Sequence, residues 1–283
     1  MELSAFKQQV AQEWAGDDTA AAWQKYFPQV REQMAAVTTA LVEAAQPQPG
    51  MRILDLASGN GEPALTLARR VAPHGHVMAT DFSEGMLSAL RANAAADQVT
   101  NIHTKMCDAH ALPFADGRFD LVTSRFGVMF FADAPAVLGE VKRVLTSGGR
   151  VAFVVWGPPG PGTYFGAAAL PFVRRLAVKP DPDGPGPMRF AESRKLAALL
   201  EEAGFGNVEE RSASLPAPYR GSPQELLTSM MEIAAPFRNA AATLSPEERT
   251  AAEQEALNNL GAVYDGNLTK VTAPVILVTG TRS

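Results

Sequence analysis

Short runs of β-branched and aliphatic residues alternate with longer amphipathic stretches through the middle of the chain. The apolar runs have the length of buried strands and lie at 52–56, 76–80, 100–106, 119–124 and 150–156. Apolar positions recur at helical spacing in the segments between them, at 63–71, 84–96 and 134–145. Strands that alternate with helices are typical of a mostly parallel sheet, so the pattern predicts an α/β core.

The flanking parts of the chain have a different pattern. Residues 4–45 and 222–260 are predicted to be helical, and Ser245 begins a capping-box spacing with proline at the first helical position. Two segments made mostly of Pro and Gly, 157–162 and 180–187, bracket an apolar stretch and predict a mobile loop or short-helix insertion. A further helix is predicted at 191–203, and further strands at 207–212 and 273–279.

Composition narrows the class of protein. Of 283 residues, 46% are hydrophobic and 19% charged, which is enough apolar material for a buried core and excludes intrinsic disorder. The net charge of −5 disfavours a nucleic-acid partner. No apolar run is long enough for a membrane span, and the N-terminus lacks a signal-peptide core. A single cysteine, Cys107, fits a reducing cytoplasm, where we expect the protein to be.

The segment 53–64 carries the most specific chemistry. A predicted strand reaches Asp55, the chain turns through Gly59 and Gly61, and a helix follows. Glycines at such a turn let a ligand approach the backbone closely. Asp81 stands at the end of the next strand, where its carboxylate could accept hydrogen bonds from two ribose hydroxyls. The pattern therefore indicates a nucleoside site.

The same glycine spacing, together with Asp81, also fits a dinucleotide fingerprint, so a nicotinamide- or flavin-dependent oxidoreductase is one alternative. A pyrophosphate needs an unobstructed helix N-terminus. Here Asp55 and Glu62 place two carboxylates at that position. These charges favour a nucleoside with a cationic tail, such as S-adenosylmethionine, over an anionic dinucleotide.

The segment 55–61 resembles motif I of the class I S-adenosylmethionine-dependent methyltransferases, written D-x-x-x-G-x-G. Later segments resemble the family's ribose-binding loop, its adenine segment and its fourth- and fifth-strand signatures, at 81–87, 107–114, 119–122 and 144–150. The set is most similar to the ubiquinone/menaquinone-biosynthesis-type branch. Ala57 and Ser58 replace its usual Gly-Cys, and Cys107 replaces its usual Gly, but these changes are small enough to keep the turn.

The resemblance implies a Rossmann-like sheet of seven mostly parallel strands, the last antiparallel, flanked by helices and extended by helical lids. It divides the chain into an N-terminal helical cap, a cofactor-binding core, a Pro/Gly-rich insertion, a core helix and strand, a helical lid and a final core strand. These segments are 1–46, 47–156, 157–188, 189–220, 221–268 and 269–283.

The resemblance also implies roles for the cofactor site. Asp55 would orient the methionine ammonium, Asp81 would hold the ribose, and Asp108 with the Ala109 N–H would bind the adenine edge. Met86 and Leu112 would enclose the adenine ring. The residues expected to bind S-adenosylmethionine are Asp55, Ala57, Ser58, Gly59, Gly61, Asp81, Phe82, Met86, Cys107, Asp108, Ala109 and Ser124.

The segment after the fourth strand is apolar apart from Arg125, which predicts a small, largely apolar acceptor under an adaptable lid. The expected lining is Arg125, Phe126, Met129, Phe130, Trp156, Phe165 and Met230. Candidates for acting on the acceptor are Arg125, Tyr164 and Tyr219, and His110 is expected to be a loop residue at the cofactor rim. We expect no metal site.

Several questions stay open from the sequence. The predicted reaction is direct in-line methyl transfer with S-adenosylhomocysteine as product, on either carbon or oxygen. A non-catalytic nucleoside-binding partner subunit is a further alternative to the enzyme. A homodimer is expected if the N-terminal helices pack against a second subunit. The fold alone decides none of these, because fold does not fix the substrate.

Overall fold

A seven-stranded sheet forms the centre of the computed structural model, which describes Trp14 and residues 16–283. Its strands are β1 (Arg52–Leu56), β2 (His76–Asp81), β3 (Ile102–Met106), β4 (Phe119–Arg125), β5 (Leu145–Trp156), β6 (Phe205–Pro216) and β9 (Thr272–Arg282). A separate two-residue ladder pairs β7 (Tyr219–Arg220) with β8 (Leu268–Thr269). The sequence pattern did not predict this ladder.

The order of the sheet is β3-β2-β1-β4-β5-β9-β6. Strands β1 to β5 pair in parallel, whereas β9 runs antiparallel to both β5 and β6. The Rossmann-like fold with an antiparallel last strand is confirmed. Strand β1 and most of β4 are buried, as expected for a parallel sheet covered on both faces.

Helices cover the sheet and extend beyond it. In chain order they are α1 (Asp17–Lys25), α2 (Phe27–Gln33), α3 (Ala35–Ala45), α4 (Ala64–Val71), α5 (Glu84–Ala96), α6 (Ala134–Val144), α7 (Tyr164–Ala168), α8 (Leu170–Val173), α9 (Lys195–Glu202), α10 (Pro223–Ile233), α11 (Ala235–Ala241) and α12 (Pro246–Gly261). A 3-10 turn, Val128–Phe130, follows β4. Helix α3 packs on β4, β5 and β9, so it is part of the core layering.

Local sequence signals explain several element ends. The capping box predicted at Ser245 is present at the start of α12, since Ser245 and Glu248 each bond the other's backbone N–H. The helical stretch predicted at 222–260 is divided into three helices, α10, α11 and α12, which are joined by short connections. Strand β5 begins five residues earlier than predicted, because residues 145–149 join it through an irregular register with β4.

Within the described residues, none of the helices combines the length and apolarity needed to cross a membrane.

Candidate active site

A cavity of about 470 Å³ opens at the carboxyl ends of β1, β2 and β4. Register places these ends side by side, with Leu56 opposite Thr80 and Asp55 opposite Thr123. One part of the cavity is polar and is lined by the loops after β1, β2 and β3. The other part, which we call the aromatic chamber, is lined by Trp14, Phe126, Met129, Phe130, Trp156, Tyr164, Phe165, Met230 and Phe237. Ligands of open α/β sheets bind at this edge.

Asp55 is fully buried in β1 beside the polar part of the cavity. Its Oδ1 accepts a hydrogen bond from the Thr123 hydroxyl at 2.6 Å, whereas Oδ2 has no partner among the described residues. Burial raises the pKa of Asp55 to about 7, and the bond from Thr123 opposes this rise. A buried carboxylate oxygen without a donor fits a cationic ligand group such as an ammonium.

The loop 57–61 leaves room for a ligand. Ala57 and Gly59 both have left-handed backbone conformations, with φ of 52° and 53°. A Cβ at Gly59 would meet no atom within 4 Å, so the side of the loop that a side chain would occupy is open. Ser58 fixes the turn, because its hydroxyl donates to the Asp55 carbonyl and its N–H donates to the Thr80 carbonyl. The turn therefore admits a ligand close to the backbone.

Asp81 joins the same loop to the next strand. Its Oδ2 accepts from the Gly59 N–H at 3.0 Å, and its Oδ1 accepts from the Ser83 N–H at 2.9 Å. Burial raises the pKa of Asp81, and these backbone bonds act against it. Each carboxylate oxygen keeps a second lone pair, so Asp81 can still accept bonds from two ligand hydroxyls. Its position at the cavity wall fits a ribose.

His110 holds the loop that follows β3. Its Nε2 accepts a hydrogen bond from the Asp133 N–H at 3.1 Å, so the ring proton lies on Nδ1 and is donated to Asp108 Oδ1 at 2.5 Å. Asp108 also accepts a bond from the His110 N–H. Because both ring nitrogens are engaged, His110 orients Asp108 at the cofactor rim and has no free nitrogen for acid–base work.

The aromatic chamber is built from rings in direct contact. The rings of Phe126 and Trp156 stack with centroids 4.0 Å apart, and Tyr164 continues the stack at 5.8 Å from Trp156. Trp14 packs on Phe130 at 5.2 Å. Phe126 has a φ of 60°, an unusual value for an aromatic residue, which turns the chain at the end of β4.

The N-terminal helices supply one wall of the cavity. Trp14, Trp23, Gln33 and Met34 all line it. Sequence reasoning predicted a cap here but not these residues. The one available signal was a pair of tryptophans in an otherwise Ala- and Gln-rich helical segment.

Most of the predicted site residues meet at the cavity. The predicted cofactor residues that line it are Ala57, Ser58, Gly59, Asp81, Phe82, Met86, Cys107, Asp108 and Ala109, and all seven predicted acceptor residues line it as well. Three predicted cofactor residues do not line the cavity: Asp55, Gly61 and Ser124. Ser124 donates a hydrogen bond to the Leu56 carbonyl, and Gly61 lies against the Leu65 side chain. Leu112 is buried outside the lining.

The two candidate tyrosines differ in position. Tyr164 lines the aromatic chamber, and burial raises the pKa of its phenol, so the hydroxyl stays protonated. The structure does not bring Tyr219 to the cavity: it lies in β7 and its hydroxyl donates to the Glu225 carbonyl at 3.4 Å.

Cys107 lines the polar part of the cavity, in surroundings that disfavour its thiolate form. Burial, followed by the neighbouring Asp108 charge, raises the pKa of its thiol to about 11, so the reactive thiolate is scarce at neutral pH. No three His, Cys, Asp or Glu side chains are arranged to hold a metal ion within residues 16–283 and Trp14. The open turn, the unpartnered Asp55 oxygen and Asp81 together fit S-adenosylmethionine.

Comparison with known proteins gives consistent results. The family described as "Methyltransferase domain" matches residues 53–149. The chain is 35% identical over 195 residues to the demethylmenaquinone methyltransferase of Clavibacter sepedonicus, covering 64% of this chain and 77% of the relative. It is 43% identical over 123 residues to that of Thermus thermophilus, covering 44% of this chain. In that second comparison the chain spans 55% of the relative's length.

Solved structures show the same fold at low sequence identity. The YcgJ protein of a Bacillus species superposes with a TM-score of 0.55 and 19% identity, over 87% of this chain and 97% of that one. A Haemonchus contortus phosphoethanolamine N-methyltransferase, solved with S-adenosyl-L-methionine, gives a TM-score of 0.57 and 17% identity over 98% of this chain and 60% of that one.

Proposed function

Because this chain belongs to the class I S-adenosylmethionine-dependent methyltransferases of the ubiquinone/menaquinone-biosynthesis type, we propose that it methylates a small, quinol-like acceptor held in the aromatic chamber. S-adenosylmethionine is its cofactor. Relatives give no support to an oxidoreductase or to a non-catalytic partner subunit. Both relatives are named demethylmenaquinone methyltransferase, and this supports a quinol-like acceptor for this chain.

The observation that carries the proposal is the joining of two unlike surfaces in one cavity. Carboxylates and an open turn face one end, and stacked rings with flexible methionines line the other. Aromatic and Met side chains favour a planar apolar ligand and adapt to its shape. An acceptor in the aromatic chamber would therefore adjoin the group held at the polar end.

The roles of the residues follow from their positions. S-adenosylmethionine supplies a methyl group on a sulfonium that needs little further activation. Asp55 would bind the ammonium, Asp81 the ribose, and Asp108, held by His110, the adenine edge. The chain's contribution is to orient the two partners about 3 Å apart and to exclude water, which supplies most of the rate enhancement.

Location and assembly belong to the same proposal. We place the protein in the cytoplasm, which fits its single cysteine, Cys107. A homodimer stays a prediction, and sedimentation velocity of the purified protein tests it.

Methyl transfer to defined acceptors tests the proposal. Purified protein is incubated with methyl-labelled S-adenosylmethionine and three acceptors: a naphthoquinol with a short isoprenyl tail, a tailless naphthoquinol, and a polar amine of similar mass. We expect label in the naphthoquinols, and its loss in Asp81→Ala. Glu247→Gln, on the exposed face of α12, is the control that keeps activity. Label in the amine alone, with cofactor binding intact, would contradict the proposal.

A further inference from the structure

Two indole N–H groups in the wall of the cavity have no hydrogen-bond partner among the described residues. The Nε1 atoms of Trp14 and Trp23 are both buried. Both side chains line the cavity. An indole nitrogen can only donate, and buried donors in folded proteins are almost always satisfied. The two groups therefore indicate a ligand that presents hydrogen-bond acceptors to this wall.

The two tryptophans are fixed to different ends of the cavity. Trp23 lies in α1, and its carbonyl accepts a bond from the Asn60 side chain at 2.8 Å, which ties it to the loop 57–61. Asn60 is itself held, because Asn93 on α5 donates to the Asn60 carbonyl at 2.8 Å. Trp14, by contrast, packs on Phe130 in the aromatic chamber. We therefore associate the Trp23 N–H with the cofactor end.

The backbone of the loop 57–61 offers few donors to an anion. The Ser58 N–H donates to the Thr80 carbonyl at 2.9 Å, and the Gly61 N–H donates to the Ser58 carbonyl at 3.1 Å. The Gly59 N–H donates to Asp81 at 3.0 Å. The carboxylate of S-adenosylmethionine can accept hydrogen bonds but cannot donate them. It therefore needs donors other than these three amides.

The cationic side chains near the cofactor end already face carboxylates. Arg31 is paired with Glu62 at 3.1 Å and with Asp97 at 2.7 Å. The charges of Glu62 and Asp55 act on Arg125. Glu62 also places a negative charge just before α4, which disfavours an anion at the start of that helix. A neutral donor on the cavity wall is the better partner for the cofactor's carboxylate.

We propose that the Trp23 indole N–H binds the carboxylate of S-adenosylmethionine, so that the N-terminal helices contribute a cofactor-binding residue. The inference rests on the cofactor of the proposed function and not on its acceptor. The ammonium and the carboxylate are attached to one carbon atom. A carboxylate near Trp23 fits an ammonium near Asp55, because the loop that holds Trp23 follows directly on β1, which carries Asp55. A bond from an N–H to a carboxylate is charge-assisted and stronger than a neutral one.

Calorimetric binding of two compounds tests the contact. S-adenosylhomocysteine is compared with its decarboxylated analogue, which keeps the adenosine, the thioether and the ammonium. We expect wild type to bind S-adenosylhomocysteine about tenfold more tightly, as one charge-assisted hydrogen bond provides. Trp23→Phe keeps an aromatic ring but removes the N–H, so this preference should disappear. Trp14→Phe is the matched control on the same wall and should keep it.

The indole N–H signals in a nitrogen–proton NMR spectrum give a second measurement on the unaltered protein. The chain has three tryptophans, Trp14, Trp23 and Trp156. Trp14→Phe and Trp156→Phe assign two of the signals, so that of Trp23 is identified even if Trp23→Phe does not fold. We expect the Trp23 signal to move downfield when S-adenosylhomocysteine binds and to move less when the decarboxylated analogue binds.

Several results would overturn the inference. These are equal binding of the two compounds to wild type, a preference retained in Trp23→Phe, or a Trp23 signal that moves equally with both. Loss of the preference in Arg125→Met but not in Trp23→Phe would assign the carboxylate to the guanidinium and also overturn it.

Failure of the proposed function gives a different result. If the naphthoquinols are not methylated while the Trp23-dependent preference is present, the proposed acceptor is wrong and the carboxylate contact is supported. If wild type does not bind S-adenosylhomocysteine at all, both proposals are overturned.

Discussion

Replacing Asp55 with Asn removes a negative charge from the interior while keeping the shape of the side chain. Asp55 is fully buried, and one carboxylate oxygen has no donor among the described residues. The Asn carbonyl oxygen can still accept the hydroxyl bond from Thr123. The change therefore tests the burial of charge separately from the packing of β1.

The magnitude follows from the pKa of Asp55. Burial raises it from 3.8 to about 7, so the folded protein holds this proton up to about pH 7 and the unfolded chain loses it near pH 4. The stability of the ligand-free wild type should fall as pH rises through this window. A rise of this size corresponds to at most about 4 kcal/mol, at 1.36 kcal/mol per unit. Asp55→Asn should lack this loss and be the more stable protein at pH 8.

Urea unfolding without ligand, at pH 5 and pH 8, measures this difference. Calorimetric binding of S-adenosylhomocysteine measures the other half of the prediction. Its ammonium needs an ionised Asp55, so wild-type affinity should rise from pH 6 to pH 8, while Asp55→Asn should bind weakly at both. Asp81→Asn is the contrasting variant: Asn offers one acceptor oxygen to two backbone N–H donors, so it should destabilise the free protein. Lower stability of Asp55→Asn at pH 8 would refute the reasoning.

Three other changes have defined outcomes. Gly127→Ala should lower the free energy of unfolding by about 1–3 kcal/mol, because the added Cβ would lie 2.6 Å from side-chain atoms of Ala57 and Ser124. Thermal melting measures this loss. Gly139→Ala, which adds a Cβ in open space on α6, is the control and should not destabilise the protein. Asn60→Ala removes the side-chain bond to the Trp23 carbonyl at 2.8 Å and should loosen the N-terminal wall by about 1 kcal/mol. It should speed proteolysis within residues 16–45 and raise the acceptor KM, and an unchanged cleavage rate would count against that contact. Tyr219→Phe should leave kcat unchanged, since the Tyr219 hydroxyl lies outside the cavity lining. A loss of kcat above about tenfold, equivalent to about 1.4 kcal/mol, would show that Tyr219 does act at the cavity.

Periodicity predicted the core well because the core obeys local rules. The bounds of β1 and α5 match the prediction, since β1 is a short run of mostly buried aliphatic residues and α5 has a serine cap. The β7–β8 ladder was missed because two-residue strands have no period. The break near residue 234 within the lid was also missed, whereas the start of α12 was indicated by the capping-box spacing at Ser245.

The cofactor end of the site was readable from sequence because its residues lie within short segments after consecutive strands. The aromatic chamber was only partly readable, since its wall combines residues far apart in the chain. Trp14 reaches Phe130 across 116 positions, and nothing near either residue indicates the other. The hydrogen bond to His110 Nε2 could not be predicted either, because its donor, the Asp133 N–H, comes close to His110 only in the folded protein.

The position of β9 has a consequence for how the protein is made. Residues 272–282 are inserted between β5 and β6, both of which precede them, and α3 packs on the same strand. A ribosome that has released residues 35–216 has therefore produced two sheet edges whose shared neighbour does not yet exist. Such long-range pairing slows folding and leaves strand edges exposed meanwhile. Synthesis must proceed through residue 282 before the sheet can close, so nascent chains stalled earlier should be the aggregation-prone species.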